Sequence, residues 1–153
     1  YIEDIAHALS LICRFGGHCR CFYSVAQHSL YVAKLVAEDG AEDAHVLAAL
    51  LHDAAEAYVG DMIRPLKRTF TQYKDIEAVV MSAVCEKFCL PGPMPLVVKW
   101  ADDVVLKNEH RDVIQDGNIW QVDTMDGPTL HIDPVSPGEA ERLLLKEFRA
   151  WTR

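Results

Sequence analysis

Residues 50–58 read Leu-Leu-His-Asp-Ala-Ala-Glu-Ala-Tyr, so two polar side chains, His52 and Asp53, interrupt an otherwise apolar helical stretch. Burying such a pair is costly unless a bound cation compensates it. His28 lies upstream in Ser-Val-Ala-Gln-His-Ser, and Asp102 lies downstream in Lys-Trp-Ala-Asp-Asp. Two imidazoles and two carboxylates are a suitable ligand set for one divalent metal, with positions left for water and substrate.

On both sides of this stretch, the apolar spacing predicts one amphipathic helix after another. Ser24 is a suitable N-cap for the helix that carries His28, and Gly40 and Gly60 follow two predicted helix ends. The predicted helices span residues 2–13, 24–38, 42–58, 71–88, 96–115 and 137–151, with a short turn or helix at 61–67. In the helix at 71–88, the apolar residues expected to face inward are Ile76, Val79, Val80, Ala83 and Val84.

The segment from residue 116 to residue 136 departs from the helical pattern because glycines and prolines punctuate it. Ile119, Trp120 and Val122 could form a short strand, so the segment is either a surface loop or a small hairpin within 118–132 that turns at Asp126-Gly127. The chain has no internal repeat and no linker that would divide it. We therefore predict one all-α domain over residues 1–153, organised as a helical bundle.

The charge balance excludes some classes of partner. A net charge of −8 argues against a nucleic-acid groove, which needs concentrated Lys and Arg, but it leaves room for a small phosphorylated ligand. No apolar run approaches the roughly 18 residues of a membrane span, and no signal peptide is visible. We therefore expect a cytoplasmic protein with no nucleic-acid or membrane partner.

The chain has five cysteines: Cys13, Cys19, Cys21, Cys85 and Cys89. An odd number without a secretory signal indicates reduced thiols, which we expect to be buried as small apolar groups. A structural zinc module with four thiolates is disfavoured because neither cysteine pair has the usual short spacing.

Two carboxylates follow the His-Asp pair closely. Glu56 lies three residues after Asp53, on the same helical face, where it could take a proton from an attacking water. Asp61 follows the helix and could donate a proton to a leaving oxygen. The alternative roles are that Glu56 accepts a hydrogen bond from a ligand imidazole and that Asp61 caps a helix.

Four cationic or ionisable residues are candidates for binding phosphate. Arg14 and His18 flank Gly16-Gly17, where the backbone can approach a ligand, and Arg64 and Lys67 bracket Pro65. Taken singly, each of them could equally be a surface charge.

The other histidines have weaker claims to a metal. His110 follows Glu109 on what we expect to be the outer half of a helix, so we expect it at the surface rather than among the ligands. Because only four residues have the character of ligands, we expect one metal ion rather than two.

The order and spacing of the candidate ligands resemble the H…HD…D signature of the HD superfamily of metal-dependent phosphohydrolases, with His28, then His52-Asp53, then Asp102. The resemblance covers essentially the whole chain and implies an HD-type phosphohydrolase domain. Glu56 and Asp61 match in position the catalytic carboxylates of the 5′-deoxynucleotidase branch.

The substrate-binding side also resembles this branch. Arg14-Phe15 is similar to its Arg-Trp pair, in which the Arg contacts phosphate, and Lys67 resembles a phosphate-contacting Lys of the phage dATP triphosphohydrolases. Phe15 departs from the Trp that helps to select the sugar or base. Gln27 stands where the nucleotidases often have Glu.

The resemblance implies a hydrolase of (deoxy)nucleotide phosphate esters. It would be either a 5′-deoxynucleotidase releasing phosphate from dNMPs or a triphosphohydrolase of dNTPs, with dATP preferred. The donor set suits Mn²⁺, Co²⁺, Fe²⁺ or Zn²⁺ better than Mg²⁺. The resemblance also implies a homo-oligomer, located in the bacterial host cytoplasm if the chain is phage-encoded. The alternative is a non-catalytic HD domain that binds metal or nucleotide.

Overall fold

The predicted all-α architecture is confirmed over residues 1–114 and 126–152, which the computed structural model describes. Its helices are α1 (Ile2–Leu11), α2 (Val25–Glu38), α3 (Asp43–Leu50), α4 (Glu56–Val59), α5 (Arg64–Lys67), α6 (Thr71–Phe88), α7 (Leu96–Asp112) and α8 (Pro137–Trp151). A 3₁₀ turn at Arg14–Gly17 lies between α1 and α2. The described β structure consists of two isolated bridges, Cys13 to Ser24 and Cys19 to Ile114.

Helix α2 lies at the centre of the core. Ser24 caps it as predicted, because its hydroxyl accepts a hydrogen bond from the backbone N–H of Gln27 at 3.1 Å. Apolar side chains of α2 pack against α1, α3, α7 and α8 in one continuous cluster. His28 is therefore held in the interior, with none of its side chain exposed.

The helix predicted over residues 42–58 is interrupted at the His-Asp pair, since α3 ends at Leu50 and α4 begins at Glu56. In a continuous helix the carbonyl of Ala49 would accept a hydrogen bond from the N–H of Asp53. Instead it accepts one from Nδ1 of His52, at 2.7 Å. Tight turns follow, and they allow His52 and Asp53 to approach one point rather than diverge by about 100° as on a regular helix.

Helix α6 is rotated relative to the prediction. Val84 is buried and Val80 half-buried, but Ile76 and Val79 are 57% and 71% exposed and Ala83 is exposed as well. Two polar contacts explain this orientation, because they place the face containing Tyr73 and Glu77 inward. The hydroxyl of Tyr73 donates to the carbonyl of Gly60 at 2.6 Å, and Lys67 Nζ donates to Glu77 at 2.6 Å.

The strand predicted at Ile119, Trp120 and Val122 lies outside the described residues. The described part of that segment, residues 126–136, has no helix or strand, and its residues 126–132 run along α7. Its backbone N–H groups at Leu130 and Ile132 donate to the side chains of Asn108 and Asp112, at 2.9 and 3.0 Å. Within the described ranges, no helix has the length and apolar character needed to cross a membrane.

Candidate metal centre

Three of the predicted ligands converge on one point. His28 of α2, His52 after α3 and Asp102 of α7 each offer a ligand atom, and these atoms all lie within 4.8 Å of one another. Asp53 joins them, because its Oδ2 lies 3.2 Å from Nε2 of His52 and 3.7 Å from Nε2 of His28. The structure thus brings together the four residues that we call the ligand cluster.

The two imidazoles are oriented to present Nε2 to the cluster. Nδ1 of His52 donates to the carbonyl of Ala49, and Nδ1 of His28 donates to Glu109 Oε1 at 2.6 Å. Because a carbonyl and a carboxylate can only accept, the proton of each neutral ring lies on Nδ1 and the lone pair on Nε2. Both Nε2 atoms are buried, and among the described residues neither makes a hydrogen bond. This arrangement fits a cation, which would complete the coordination of both atoms.

Glu109 anchors the cluster from behind and was missed by the sequence analysis. It is fully buried, and it also accepts hydrogen bonds from the Tyr23 hydroxyl at 2.7 Å and from Arg14 Nη2 at 3.0 Å. Burial opposes its charge, but Arg14 and His28 hold the pKa of Glu109 at about 2. Its position seven residues after Asp102, on the same face of a helix, was the available signal.

The cluster attracts positive charge. Burial opposes ionisation of Asp53 and Asp102, but the neighbouring imidazoles hold the pKa of both carboxyls far below the usual range. Burial and Arg14 oppose protonation of His28, yet Glu109 and Asp102 raise its pKa to about 9. Protons on the imidazoles or a divalent cation can therefore supply the charge that balances these carboxylates.

A cavity of about 580 Å³ borders the cluster, and both predicted catalytic carboxylates line it. Glu56 is 4% exposed, and its Oε2 has no hydrogen-bond partner among the described residues. Burial, with Asp53 and Asp61 nearby, raises the pKa of Glu56 to about 10. Burial also raises the pKa of Asp61, despite the opposing charge of Arg14. Both carboxyls therefore lie near the ligand cluster, and a positive charge added there would lower their pKa values.

Three of the four predicted phosphate-binding residues line the same cavity, and each has an acidic neighbour. Arg14 is buried and lies 3.8 Å from Asp53 through Nη1, and its Nε has no hydrogen-bond partner in the part of the chain that the structure describes. Arg64 donates from Nη2 to Asp102 Oδ2 at 3.0 Å and thereby orients that ligand. Lys67 is paired with Glu77.

Phe15 also lines the cavity, in a left-handed conformation with φ of 57° that is unusual for a residue other than glycine. The Arg14 guanidinium lies 5.0 Å from its ring centroid. His18, the fourth predicted phosphate-binding residue, is exposed and is not among the residues that line the cavity.

Several lining residues were not predicted, among them Arg68, Lys99, Leu106, His110 and Ile114. The assignment of His110 to the surface is wrong, because it is half-buried in the cavity wall. Its spacing of eight residues from Asp102 places it two helical turns along the same side of α7, and this was the missed signal.

The five cysteines lie outside the ligand cluster. All five are free thiols. The expectation that they would be buried is wrong, since Cys21 and Cys89 are exposed and the other three are half-buried. The metal-ligand group found among the described residues contains no cysteine.

Comparison with known proteins places the chain in a family. No known family profile matches it. It is 42% identical over 105 residues to an uncharacterized protein of Rhodobacter capsulatus, an alignment that covers 65% of this chain and 54% of that protein. It is 40% identical over 152 residues to the uncharacterized protein YfdR of Escherichia coli strain K12, which covers 96% of this chain and 82% of YfdR. The chain belongs to the family of YfdR.

Proposed function

We propose that this protein is a metal-dependent hydrolase of (deoxy)nucleotide phosphate esters with an HD-type active site. The observation that carries the proposal is the convergence of His28, His52 and Asp102, within 4.8 Å of one another, at a cavity that also contains Glu56 and Asp61. Nitrogen and oxygen donors together suit Mn²⁺, Co²⁺, Fe²⁺ or Zn²⁺. A divalent cation supplies Lewis acidity toward a phosphoryl oxygen and makes water a stronger acid.

The surrounding residues have the chemistry that phosphate-ester hydrolysis requires. Glu56 lies beside Asp53 at the cavity wall, where a carboxylate would take the proton of the attacking water. Burial raises the pKa of Asp61, which favours the protonated carboxyl that would donate to the leaving oxygen. The Nε group of Arg14 has no hydrogen-bond partner among the described residues and would be available to a phosphate oxygen, whereas Nη1 lies near Asp53 and Lys67 would have to share its charge with Glu77.

The proposal covers two alternative reactions, the release of phosphate from a dNMP and the release of triphosphate from a dNTP. The cavity volume of about 580 Å³ lies within the usual range for small-molecule sites, roughly 300–1,000 Å³, and does not separate the two. The resemblance to the phage dATP triphosphohydrolases favours dATP as the triphosphate substrate.

The experiment is chromatography of the products from metal-reconstituted protein with a panel of dNMPs and dNTPs. Nucleoside with phosphate identifies a nucleotidase, and nucleoside with triphosphate identifies a triphosphohydrolase. Chelation of the metal with EDTA should stop either reaction, and hydrolysis that continues unchanged would contradict the metal mechanism. Metal-loaded protein that binds nucleotides without cleaving them would instead support a non-catalytic binding domain.

A further inference from the structure

One face of α7 connects the ligand cluster to the far end of the cavity. Asp102, Leu106 and His110 recur at intervals of four residues and all line the cavity, as does Ile114 just beyond the helix. Since an α-helix rises about 1.5 Å per residue, His110 lies roughly 12 Å along the axis from the ligand Asp102. That separation is comparable to the distance from the phosphate to the far edge of the base in a nucleotide.

The far end of the cavity has a different chemistry from the cluster end. Its walls include the apolar side chains of Leu106 and Ile114, together with Phe15. Phe15 packs against the separate apolar cluster of Tyr23, Val113 and Ile132, so its ring is supported from behind. A flat ligand group would find apolar and aromatic surface there, as is usual in small-molecule sites.

His110 places one polar atom in this apolar wall. Its Nε2 is buried and makes no hydrogen bond within the described residues. Buried polar atoms normally have a partner, and this nitrogen is positioned to bond to a molecule in the cavity. A nucleobase presents a flat ring with donors and acceptors at its edge, which matches an apolar wall that carries a polar atom at Nε2 of His110. A sugar, with several hydroxyls, would need more polar partners than this end of the cavity supplies.

On the basis of the proposed function, we propose that His110 is a specificity-determining residue that hydrogen-bonds through Nε2 to the base of the bound nucleotide, with Phe15 against the base ring. A single hydrogen bond to the base edge distinguishes bases because a mismatched edge leaves a buried polar group unpaired. The base lies away from the reacting phosphate, so the bond contributes equally to substrate and transition-state binding.

The test compares wild type with His110→Leu, which removes Nε2 at similar size, and His110→Gln, which keeps a hydrogen-bonding group. His131→Leu is the matched control, because the His131 side chain is 82% exposed and outside the cavity. The first measurement is kcat/KM for nucleotides carrying each of the four bases. The second is their Kd, measured calorimetrically on metal-loaded protein in a Glu56→Gln background.

We expect wild type to prefer one base or pair of bases. His110→Leu should lower kcat/KM for the preferred base by about 3- to 10-fold, mainly through a higher KM. It should therefore reduce the ratio of kcat/KM between the preferred base and the other bases. His110→Gln should recover part of the ratio. An equal loss for all bases, or a wild type without base preference, would overturn the proposal.

The two measurements separate this inference from the proposed function. In one outcome no nucleotide is hydrolysed, but the Kd values differ between bases and His110→Leu reduces that difference. The hydrolase proposal then fails and the role of His110 stands. If hydrolysis occurs and the base ratios are the same in wild type and His110→Leu, the hydrolase proposal stands and the role of His110 fails. Absence of both binding and hydrolysis overturns both.

Discussion

His28 and Glu109 are joined by a hydrogen bond of 2.6 Å, and neither side chain has any exposed surface. The bond fixes the ring of His28 so that Nε2 lies 3.1 Å from Asp102 Oδ1. A carboxylate behind a histidine ligand both orients the ring and raises its basicity. Glu109 is thus a positioning residue for the ligand cluster, at a distance of 81 positions along the chain from the histidine that it orients.

Glu109→Gln should weaken metal binding while keeping most of the volume of the side chain. We expect a loss of about 10- to 100-fold in metal affinity, because the amide lacks the charge that strengthens His28 as a ligand. Competition with a chromophoric chelator measures this affinity. Glu86→Gln, at an exposed position on α6, is the control and should bind metal as wild type does. Equal affinities for the two variants would contradict the positioning role.

Asp102→Ala should lower metal content and abolish the proposed hydrolysis. The neighbouring Asp103 makes salt bridges with Arg64 and Lys99 and is outside the ligand cluster, so Asp103→Asn is a matched control. Saturating metal at about 100 times its Kd stabilises a folded protein by about 2.7 kcal/mol, which corresponds to about 5–10 °C in Tm for a chain of this length. Calorimetry with and without metal should show this shift in wild type and Asp103→Asn. The same shift in Asp102→Ala would remove Asp102 from the ligand set.

The sequence predicted the helices and the residues of the ligand cluster better than the contacts that orient them. His28, His52 and Asp102 could be chosen because their residue types suit a metal and stand in apolar helical surroundings. The break at His52 could not be predicted, because it depends on a bond from its ring to the backbone of Ala49. The seven-residue spacing of Glu109 from Asp102 was a signal for its face of the helix, but its role depends on donors from segments far away in the chain.

The orientation of α6 could not be predicted from helical periodicity either. Ile76 and Val79 have the spacing of a buried face, but the bond from Tyr73 to Gly60 turns a different face inward. Periodicity gives the faces of a helix, and only the tertiary contacts decide which one is buried.

Asp112 should make a contribution to stability that disappears in acid. The hydrogen bond from Arg111 and that from the backbone N–H of Ile132 outweigh partial burial and hold the pKa of Asp112 at about 2. Since the folded pKa is below the unfolded value of 3.8, the contribution is complete above that value and is lost as the pH falls toward 2. Urea denaturation should show Asp112→Asn less stable than wild type at pH 7, with the difference shrinking below pH 3.8. A difference that is independent of pH would show that the charge of Asp112 has no part in it.

Glu56→Gln should separate catalysis from metal binding. The side chain lies in the cavity wall, and its Oε2 has no partner within residues 1–114 and 126–152. Burial, with Asp53 and Asp61, raises its pKa, so a positive charge in the cluster would favour the ionised form. An amide of the same shape cannot take a proton from water, and loss of a general base lowers kcat by about 10²- to 10⁴-fold. Metal content, measured by elemental analysis, should equal that of wild type because Glu56 is outside the ligand cluster. Loss of the metal would instead make Glu56 a ligand, and full activity would assign the proton transfer to another group, for which Asp61→Asn is the next variant to measure.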